Sequence, residues 1–210
     1  VHRIARYLKR ISADITVICG GPHASLAKEH TLSTGDVDFV VAGEGELALA
    51  QLTHAVLAGD MKSAKAVPGV YSRSGSSVVG SPQTLEFDLA SMPLPRFDHL
   101  PLDRYFSKRK RLFIHTSRGC SFRCVYCSVP RCWGSKVREI PMASLFAHLE
   151  SIVHHHHPDE LQIVDDNFSH KHGQIIAEFC SSLQNRAIRV KWKCQVRADQ
   201  LSVEVIPVMA

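Results

Sequence analysis

The sequence predicts an α/β protein built as two units. Two observations carry that prediction. Short apolar runs stopped by Gly or Asp alternate with amphipathic stretches, and this happens on both sides of a Pro-rich segment. The composition is that of a folded chain: of 210 residues 45% are apolar and 21% charged, which excludes disordered, collagen-like and low-complexity classes. The length fits one medium domain or two small ones. No apolar run approaches the roughly 20 residues that a membrane-spanning helix needs. No basic stretch followed by an apolar one marks a signal peptide, so the expected compartment is the cytoplasm.

The first unit opens in a helical pattern, with Ile4, Leu8 and Ile11 at helical spacing. Ile15-Thr16-Val17-Ile18-Cys19 then reads as a buried parallel strand halted by Gly20-Gly21. A short helix is expected around Ala24–His30. The next strand is Val37-Asp38-Phe39-Val40-Val41, halted by Gly43-Glu44-Gly45. A helix from Glu46 to Gly59 presents Leu49, Leu52 and Val56 on one face. This alternation predicts an open parallel sheet. Arg73-Ser74-Gly75 between two apolar runs reads as a hairpin.

Residues 81–110 carry Pro82, Pro93, Pro95 and Pro101 with little periodicity, a linker or wrapping segment. The second unit starts with Leu112-Phe113-Ile114, a strand running into Thr116-Ser117-Arg118-Gly119-Cys120. After a loop to Pro141, Met142, Leu145, Phe146, Leu149, Ile152 and Val153 mark an amphipathic helix; His154–His157 close it, cations suited to a helix C-terminus. A strand Leu161–Val164 ends at Asp165-Asp166-Asn167, and a helix burying Ile175, Ile176, Phe179, Cys180 and Leu183 follows. A third strand spans Val190–Arg197 and alternates polar with apolar residues. Its polar side reads either as a wet, ligand-lined lumen or as the solvated face of an edge strand. Residues 202–210 read as a helix just beginning. Val1 in place of an initiator Met, with both ends in helical patterns, reads as a fragment of a longer protein. Barrel-type α/β folds place chemistry at the C-terminal ends of strands, here the cysteine loop, the Asp165–Asn167 corner and Arg197.

Seven cysteines in such a chain point to metal or catalysis more than to disulfides. Cys120, Cys124 and Cys127 form C-x3-C-x2-C on one loop. Zinc ribbons use two separated pairs and close a tetrahedron of four ligands. Three soft thiolates at this spacing suit an iron–sulfur cluster with one iron left open. Cys132 reads as a spare thiol near that loop, Cys180 and Cys194 as core. The net charge of +5 is scattered. Its densest cluster, Lys108–Arg111, reads as a solvated loop, because no base-stacking aromatics or recognition helix accompany it.

Cys120-Ser-Phe-Arg-Cys124-Val-Tyr126-Cys127 resembles the radical SAM signature, with an aromatic just before the third Cys. Thr116-Ser-Arg-Gly-Cys120 resembles the start of that motif in members with an N-terminal cobalamin (B12)-binding domain. Gly20-Gly21-Pro22-His23 followed by Asp38 through Glu46 is similar to the C-terminal half of such a domain. The resemblance covers nearly the whole chain. It implies that residues 1–80 are part of a truncated Rossmann-like (flavodoxin-like) B12-binding domain. Residues 81–110 would be a linker, and 111–210 the first half of a radical SAM (β/α) partial barrel.

The resemblance further implies a [4Fe–4S] cluster on Cys120, Cys124 and Cys127, with S-adenosylmethionine chelated at the open iron. One-electron reduction would cleave it to methionine and a 5′-deoxyadenosyl radical, in many B12-dependent members to methylate an unactivated carbon. Tyr126 would sit by the adenine. Asp165, Asp166 or Asn167 would meet the methionine ammonium, in place of the Gly-Gly-Glu found elsewhere in the superfamily. Arg197 would meet the carboxylate or ribose. Gly20 and Gly21, and the Gly43-Glu44 turn, would admit the cobalamin. The family's cobalt-ligating His motif lies upstream of this stretch, and His23 is not that residue. Gly43–Ala48 also matches a G-x-G-x-x-A dinucleotide fingerprint, but Glu44 and Glu46 at that helix start would repel a pyrophosphate. A small-molecule substrate and a one-electron reductant such as flavodoxin or ferredoxin are the expected partners, with no nucleic acid. The alternatives are radical rearrangement, cyclisation or oxidation without B12 chemistry, and a non-catalytic module with zinc in the cysteine loop.

Overall fold

The computed structural model describes residues 1–83, 88–106, 109–170 and 173–209. They form two compact units: Val1–Phe87 with Cys124–Gly134, and Asp88–Arg123 with Ser135–Ala210.

In the first unit β1 (Ile18–Gly20) runs parallel to β2 (Phe39–Val41), with Ile18 opposite Phe39 and Gly20 opposite Val41. The expected hairpin is present as β3 (Val70–Ser74) and β4 (Ser77–Gly80), and β3 joins β2 antiparallel. The sheet order is β1-β2-β3-β4 and the sheet is mixed, so parallel pairing is confined to β1 and β2. Phe39 and Val41 face one core with Leu52 and Val70, while Val40 faces another with Ala5, Val17 and Leu32. A strand covered on both sides must be apolar on both, which is why Phe39-Val40-Val41 does not alternate.

The helices depart from expectation in their faces. Helix α1 (His2–Ile11) buries Ala5 and half-buries Leu8, leaving Ile4, Tyr7 and Ile11 exposed. The helix expected around Ala24–His30 is two short ones, α2 (Pro22–Leu26) and α3 (Lys28–Leu32), broken where Ala27 leaves helical geometry. Helix α4 (Gly45–Leu57) buries Ala48, Leu52 and Ala55, a face turned one position from Leu49, Leu52 and Val56. Small Ala side chains let that backbone approach the sheet closely, and they contribute little to a hydropathy pattern. Helix α5 (Met61–Ala66), capped by the Asp60 carboxylate accepting from the Ser63 N–H at 3.0 Å, had no signature in the periodicity. Helix α6 (Val129–Trp133) completes this unit and packs against α2.

In the second unit β5 (Arg111–Ile114) is followed by a two-stranded antiparallel ribbon, β6 (Ser117–Arg118) with β7 (Arg138–Glu139). Helix α7 (Met142–His156), β8 (Glu160–Ile163), α8 (Gln174–Asn185) and β9 (Lys191–Lys193) complete it. The main sheet is parallel, order β5-β8-β9. Leu112, Ile114, Leu161 and Ile163 pack against Leu145, Phe146, Leu149, Ile176 and Phe179 of the two helices. Side chains of that size contribute about 1.5–3 kcal/mol each when fully buried. Arg111, Phe113, Lys191 and Lys193 stand exposed on the other side of the sheet, with Gln162 partly so. There the Glu160 carboxylate pairs with Arg111 and, at 2.9 Å, with Lys193. Among the described residues β9 pairs with β8, and its polar side lies on the face of the sheet opposite the helices, an arrangement that fits both readings of its alternation.

Residues 88–106 wrap rather than dangle. Phe97 lies between His148 and His156 of α7, at ring separations of 6.4 and 6.0 Å. The Asp98 carboxylate is 3.5 Å from His156. Residues 84–87 and 107–108 of the expected linker lie outside the described residues, Lys108 of the basic cluster among them; Arg109, Lys110 and Arg111 are exposed, and Arg111 belongs to β5. The helix expected at residues 202–210 is a 3-10 turn, Ile206–Met209, and Ala210 lies outside the described residues.

Candidate functional site

The polar corner forms where β5 and β8 end side by side. Ile114 pairs with Ile163, so the chain leaves both strands at the same level. Thr116 and Ser117 then face Asp165 across that gap. The Asp165 carboxylate accepts from the Thr116 N–H at 2.7 Å, from the Thr116 hydroxyl, and from the Ser117 hydroxyl at 2.7 Å. It is 1% exposed. A buried carboxylate is tolerable when its lone pairs are taken up, and Asp165 is saturated from within the protein.

Asn167 is occupied in the same way. Its amide oxygen accepts from the Ser169 hydroxyl at 2.7 Å and the Ser169 N–H at 3.3 Å. The Phe168 N–H donates to Gln195 O, which ties this exit to the end of β9. Asp166 differs from both neighbours. It is half-buried and accepts from the Gly119 N–H at 3.2 Å. Burial holds its carboxyl above the usual range; the Gly119 bond and nearby His115 counteract this, while Asp165 adds to it. Of the three residues expected to meet the ammonium, Asp166 is the one not fully enclosed.

Arg197 follows β9 and carries a two-point ion pair to Asp199, Nε to Oδ1 at 3.0 Å and Nη2 to Oδ2 at 2.7 Å. The pairing holds the Asp199 carboxyl below its usual range. The guanidinium also lies 4.0 Å from the centre of the Phe122 ring. Cys194, three residues earlier, has its thiol pushed up to about 11, chiefly by burial, with Asp165 and Cys180 adding.

The cysteine loop, residues 119–137, leaves β6 and returns through β7. The two strands pair Ser117 with Glu139 and Arg118 with Arg138, and the Ile140 N–H donates to Thr116 O at 2.8 Å. Cys120, Cys124 and Cys127 form no disulfide and are partly buried. The Cys127 N–H donates to Cys124 O at 3.0 Å, a tight turn that places Val125 and Tyr126 at its tip. Tyr126 is 89% exposed, neither core nor enclosed. Among the described residues no three His, Cys, Asp or Glu side chains converge as a single metal ion requires. A cubane asks for something else, because each thiolate binds its own iron. Three cysteines outside any disulfide on one loop fit that donor set, and the fourth ligand of a closed zinc tetrahedron has no counterpart in the motif. Cys132, Cys180 and Cys194 also form no disulfide.

In the first unit, Gly20-Gly21 and Gly43-Glu44 sit at the ends of parallel β1 and β2. Gly21 has φ +90° and nothing within 4 Å of where a Cβ would stand. The space beside Gly21 is therefore open, while a Cβ on Gly20 would meet Val41 O at 3.5 Å. The Gly43-Glu44 turn is closed instead. The Gln83 amide accepts from the Glu44 N–H at 2.8 Å and donates to Glu44 O at 2.7 Å. The Gly43 N–H donates to Ser25 Oγ at 2.9 Å. Glu44 is buried. The acidic start of α4 that argued against a pyrophosphate is thus a packed turn.

Sequence reasoning missed Glu139 and His170. His170 Nε2 lies 3.0 Å from Glu139 Oε1, and Nδ1 lies 3.1 Å from Asn167 O. No spacing could have found a pair 31 positions apart.

Residues 1–53 match the B12 binding domain family. The chain is 26% identical over 211 residues to an uncharacterized methyltransferase, PH0819, of Pyrococcus horikoshii, covering 99% of this chain and 45% of that protein. It is 26% identical over 207 residues to the anaerobic magnesium-protoporphyrin IX monomethyl ester cyclase of Rubrivivax gelatinosus, covering 95% and 37%. Among solved structures it resembles the radical S-adenosylmethionine methyltransferase TsrM of Kitasatospora setae, solved with tryptophan and aza-SAM. The TM-score is 0.77 at 18% identity, over 99% of this chain and 42% of that one. A second TsrM structure, with cobalamin and a [4Fe–4S] cluster, matches with TM-score 0.70 at 20% identity, over 87% and 37%. The chain spans less than half the length of these relatives. Among the described residues no helix is long and apolar enough to cross a membrane. The resemblance read from the motifs is borne out: residues 1–53 match the B12 binding domain family, and the α/β fold is that of the TsrM structures.

Proposed function

We propose that this chain is part of a radical SAM enzyme and that its reaction is B12-dependent methylation of an unactivated carbon. One observation carries the reading: Cys120, Cys124 and Cys127, none of them in a disulfide, share a single loop that follows a parallel strand, in a chain whose first 53 residues match a B12-binding domain. These three thiolates would each hold one iron of a [4Fe–4S] cluster and leave the fourth open. The bound groups would supply single-electron cleavage of S-adenosylmethionine and, from cobalamin, a methyl group.

The chain's own residues would bind and orient. Asp166 would take the methionine ammonium through a charge-assisted hydrogen bond, and such a cation would relieve the penalty that burial places on its carboxylate. Asp165 and Asn167 would hold that exit in place. The exposed Tyr126 ring would stack near the adenine. Arg197 would reach the S-adenosylmethionine carboxylate or ribose by exchanging Asp199. The backbone at Gly20 and Gly21 would lie along the cobalamin tail, with the Gly43-Glu44 turn shaping its rim. A small-molecule substrate, a flavodoxin- or ferredoxin-like reductant and a cytoplasmic setting complete the proposal.

A second reading, radical cyclisation or oxidation without methyl transfer, is favoured by the match to the Rubrivivax cyclase. Anaerobic reconstitution with iron and sulfide tests both. The expected result is about four irons per chain and release of 5′-deoxyadenosine on reduction, each abolished by Cys120→Ala, Cys124→Ala or Cys127→Ala. Transfer of a labelled methyl group from S-adenosylmethionine separates the first reading from the second. Tight zinc with no iron uptake would overturn both.

A further inference from the structure

The base of the cysteine loop is closed by a pair that the proposed chemistry does not use. His170 is 6% exposed, and both ring nitrogens face oxygen. Asn167 O is a carbonyl and only accepts, so Nδ1 carries a hydrogen. Nε2 lies 3.0 Å from the Glu139 carboxylate, so one hydrogen shared between these two atoms joins the side chains. The tautomer follows from the partners.

The pair closes a circuit. Glu139 on β7 is registered with Ser117 on β6. The Ser117 hydroxyl donates to Asp165, at the exit of β8. Two residues on, Asn167 O accepts from His170, and His170 returns to Glu139. The ribbon itself pairs only two residues per strand, too few to hold a loop of this length. One foot of the loop is tied to β8 by Asp165 and Asp166, which accept from Thr116, Ser117 and Gly119. The other foot is tied by His170.

We propose that His170 and Glu139 are positioning residues that latch the returning foot of the cysteine loop to the exit of β8 and so hold the loop ready for its cluster. The functional part of this rests on the radical SAM reading; the latch does not. Hydrogen exchange on the full chain tests the latch without any cluster. His170→Ala and Glu139→Ala should each speed amide exchange at 117–119 and 138–140 by about tenfold or more, the loss expected of a buried, charge-assisted bond. The double variant should be no faster than either single one. Glu139→Gln should remain close to the parent, because its amide can turn to donate to a neutral Nε2. Unchanged exchange in Glu139→Ala, additive effects in the double variant, or Glu139→Gln as fast as Glu139→Ala would each overturn the latch. Glu139 is partly exposed, so its variants keep the test alive if His170→Ala fails to fold.

A second measurement follows iron loss to a chelator from the reconstituted protein. Glu139→Ala should lose iron about tenfold faster than the parent, with Glu139→Gln rescuing it. Equal loss rates alongside accelerated exchange would overturn the link between latch and cluster. A parent that takes up no iron would overturn the radical SAM reading, while the exchange result stands.

Discussion

The corner where β1 and β2 end and the corner where β5 and β8 end share one topology, two neighbouring parallel strands leaving the sheet at the same level. They are finished with opposite chemistry. The first is lined by glycine backbone, and at Gly21 it is open to solvent. The second is filled with carboxylates, hydroxyls and an imidazole that saturate one another, Asp165 being enclosed by three donors. Residues that look chemical in sequence are spent on architecture in one corner, and residues that look featureless leave the space in the other. A ligand at the second corner must use what the network leaves over, the half-buried Asp166.

This contrast can be broken at both corners. Asp165→Ala leaves the Thr116 and Ser117 donors buried without an acceptor. It should destabilise the protein by about 3 kcal/mol or more, read as a lower urea midpoint with an unchanged slope. Asp165→Asn, which keeps one acceptor, should cost less. Gly21→Ala has room for its methyl group but must adopt φ +90°, at a cost of about 1–2 kcal/mol. Gly20→Ala meets only Val41 O at 3.5 Å and should stay within about 0.5 kcal/mol of the parent. Equal costs at the two glycines would show that the strain lies elsewhere.

A gentler test concerns Asp166. Its carboxyl is held up by burial, so the folded state binds that proton more tightly than the unfolded one. The penalty is absent below the ordinary carboxylate range and grows as pH rises through the raised value. Asp166→Asn should therefore be more stable than the parent at pH 7, and the advantage should vanish in acid, as measured by urea midpoints at both. The smallest effect is chemical. With its thiol near 11, Cys194 should resist alkylation at pH 8 and label only as pH nears that value, followed by peptide mass spectrometry.

Much of this was legible in the sequence, and the exceptions have physical reasons. Apolar runs halted by Gly or Asp located β1, β2, β5 and β8, and the cysteine spacing located the loop. Two adjacent acids cannot be told apart by pattern: Asp165 is saturated and Asp166 is not because Thr116 and Ser117, 49 and 48 positions away, reach only one of them. The β6–β7 ribbon is two residues wide and has no periodicity to detect. Helix α4 turned by one position because alanines bury well and register weakly. The polar alternation of β9 marked a face that no helix covers, a condition that sequence alone shares between a lumen and an edge.

The Gln83 side chain serves Glu44 as a one-residue strand partner, bonding its N–H and its carbonyl at once. To reach them it lies over two glycines: a Cβ on Gly43 would stand 2.7 Å from Gln83 Oε1, and one on Gly69 3.1 Å from Gln83 Cβ. Positions 43, 69 and 83 are thus packed together. A larger residue at Gly43 displaces the amide, and a shorter residue at 83 forfeits both bonds yet leaves both glycines required by their own backbone, at φ +82° and +85°, so change at 83 opens no room for change at 43 or 69.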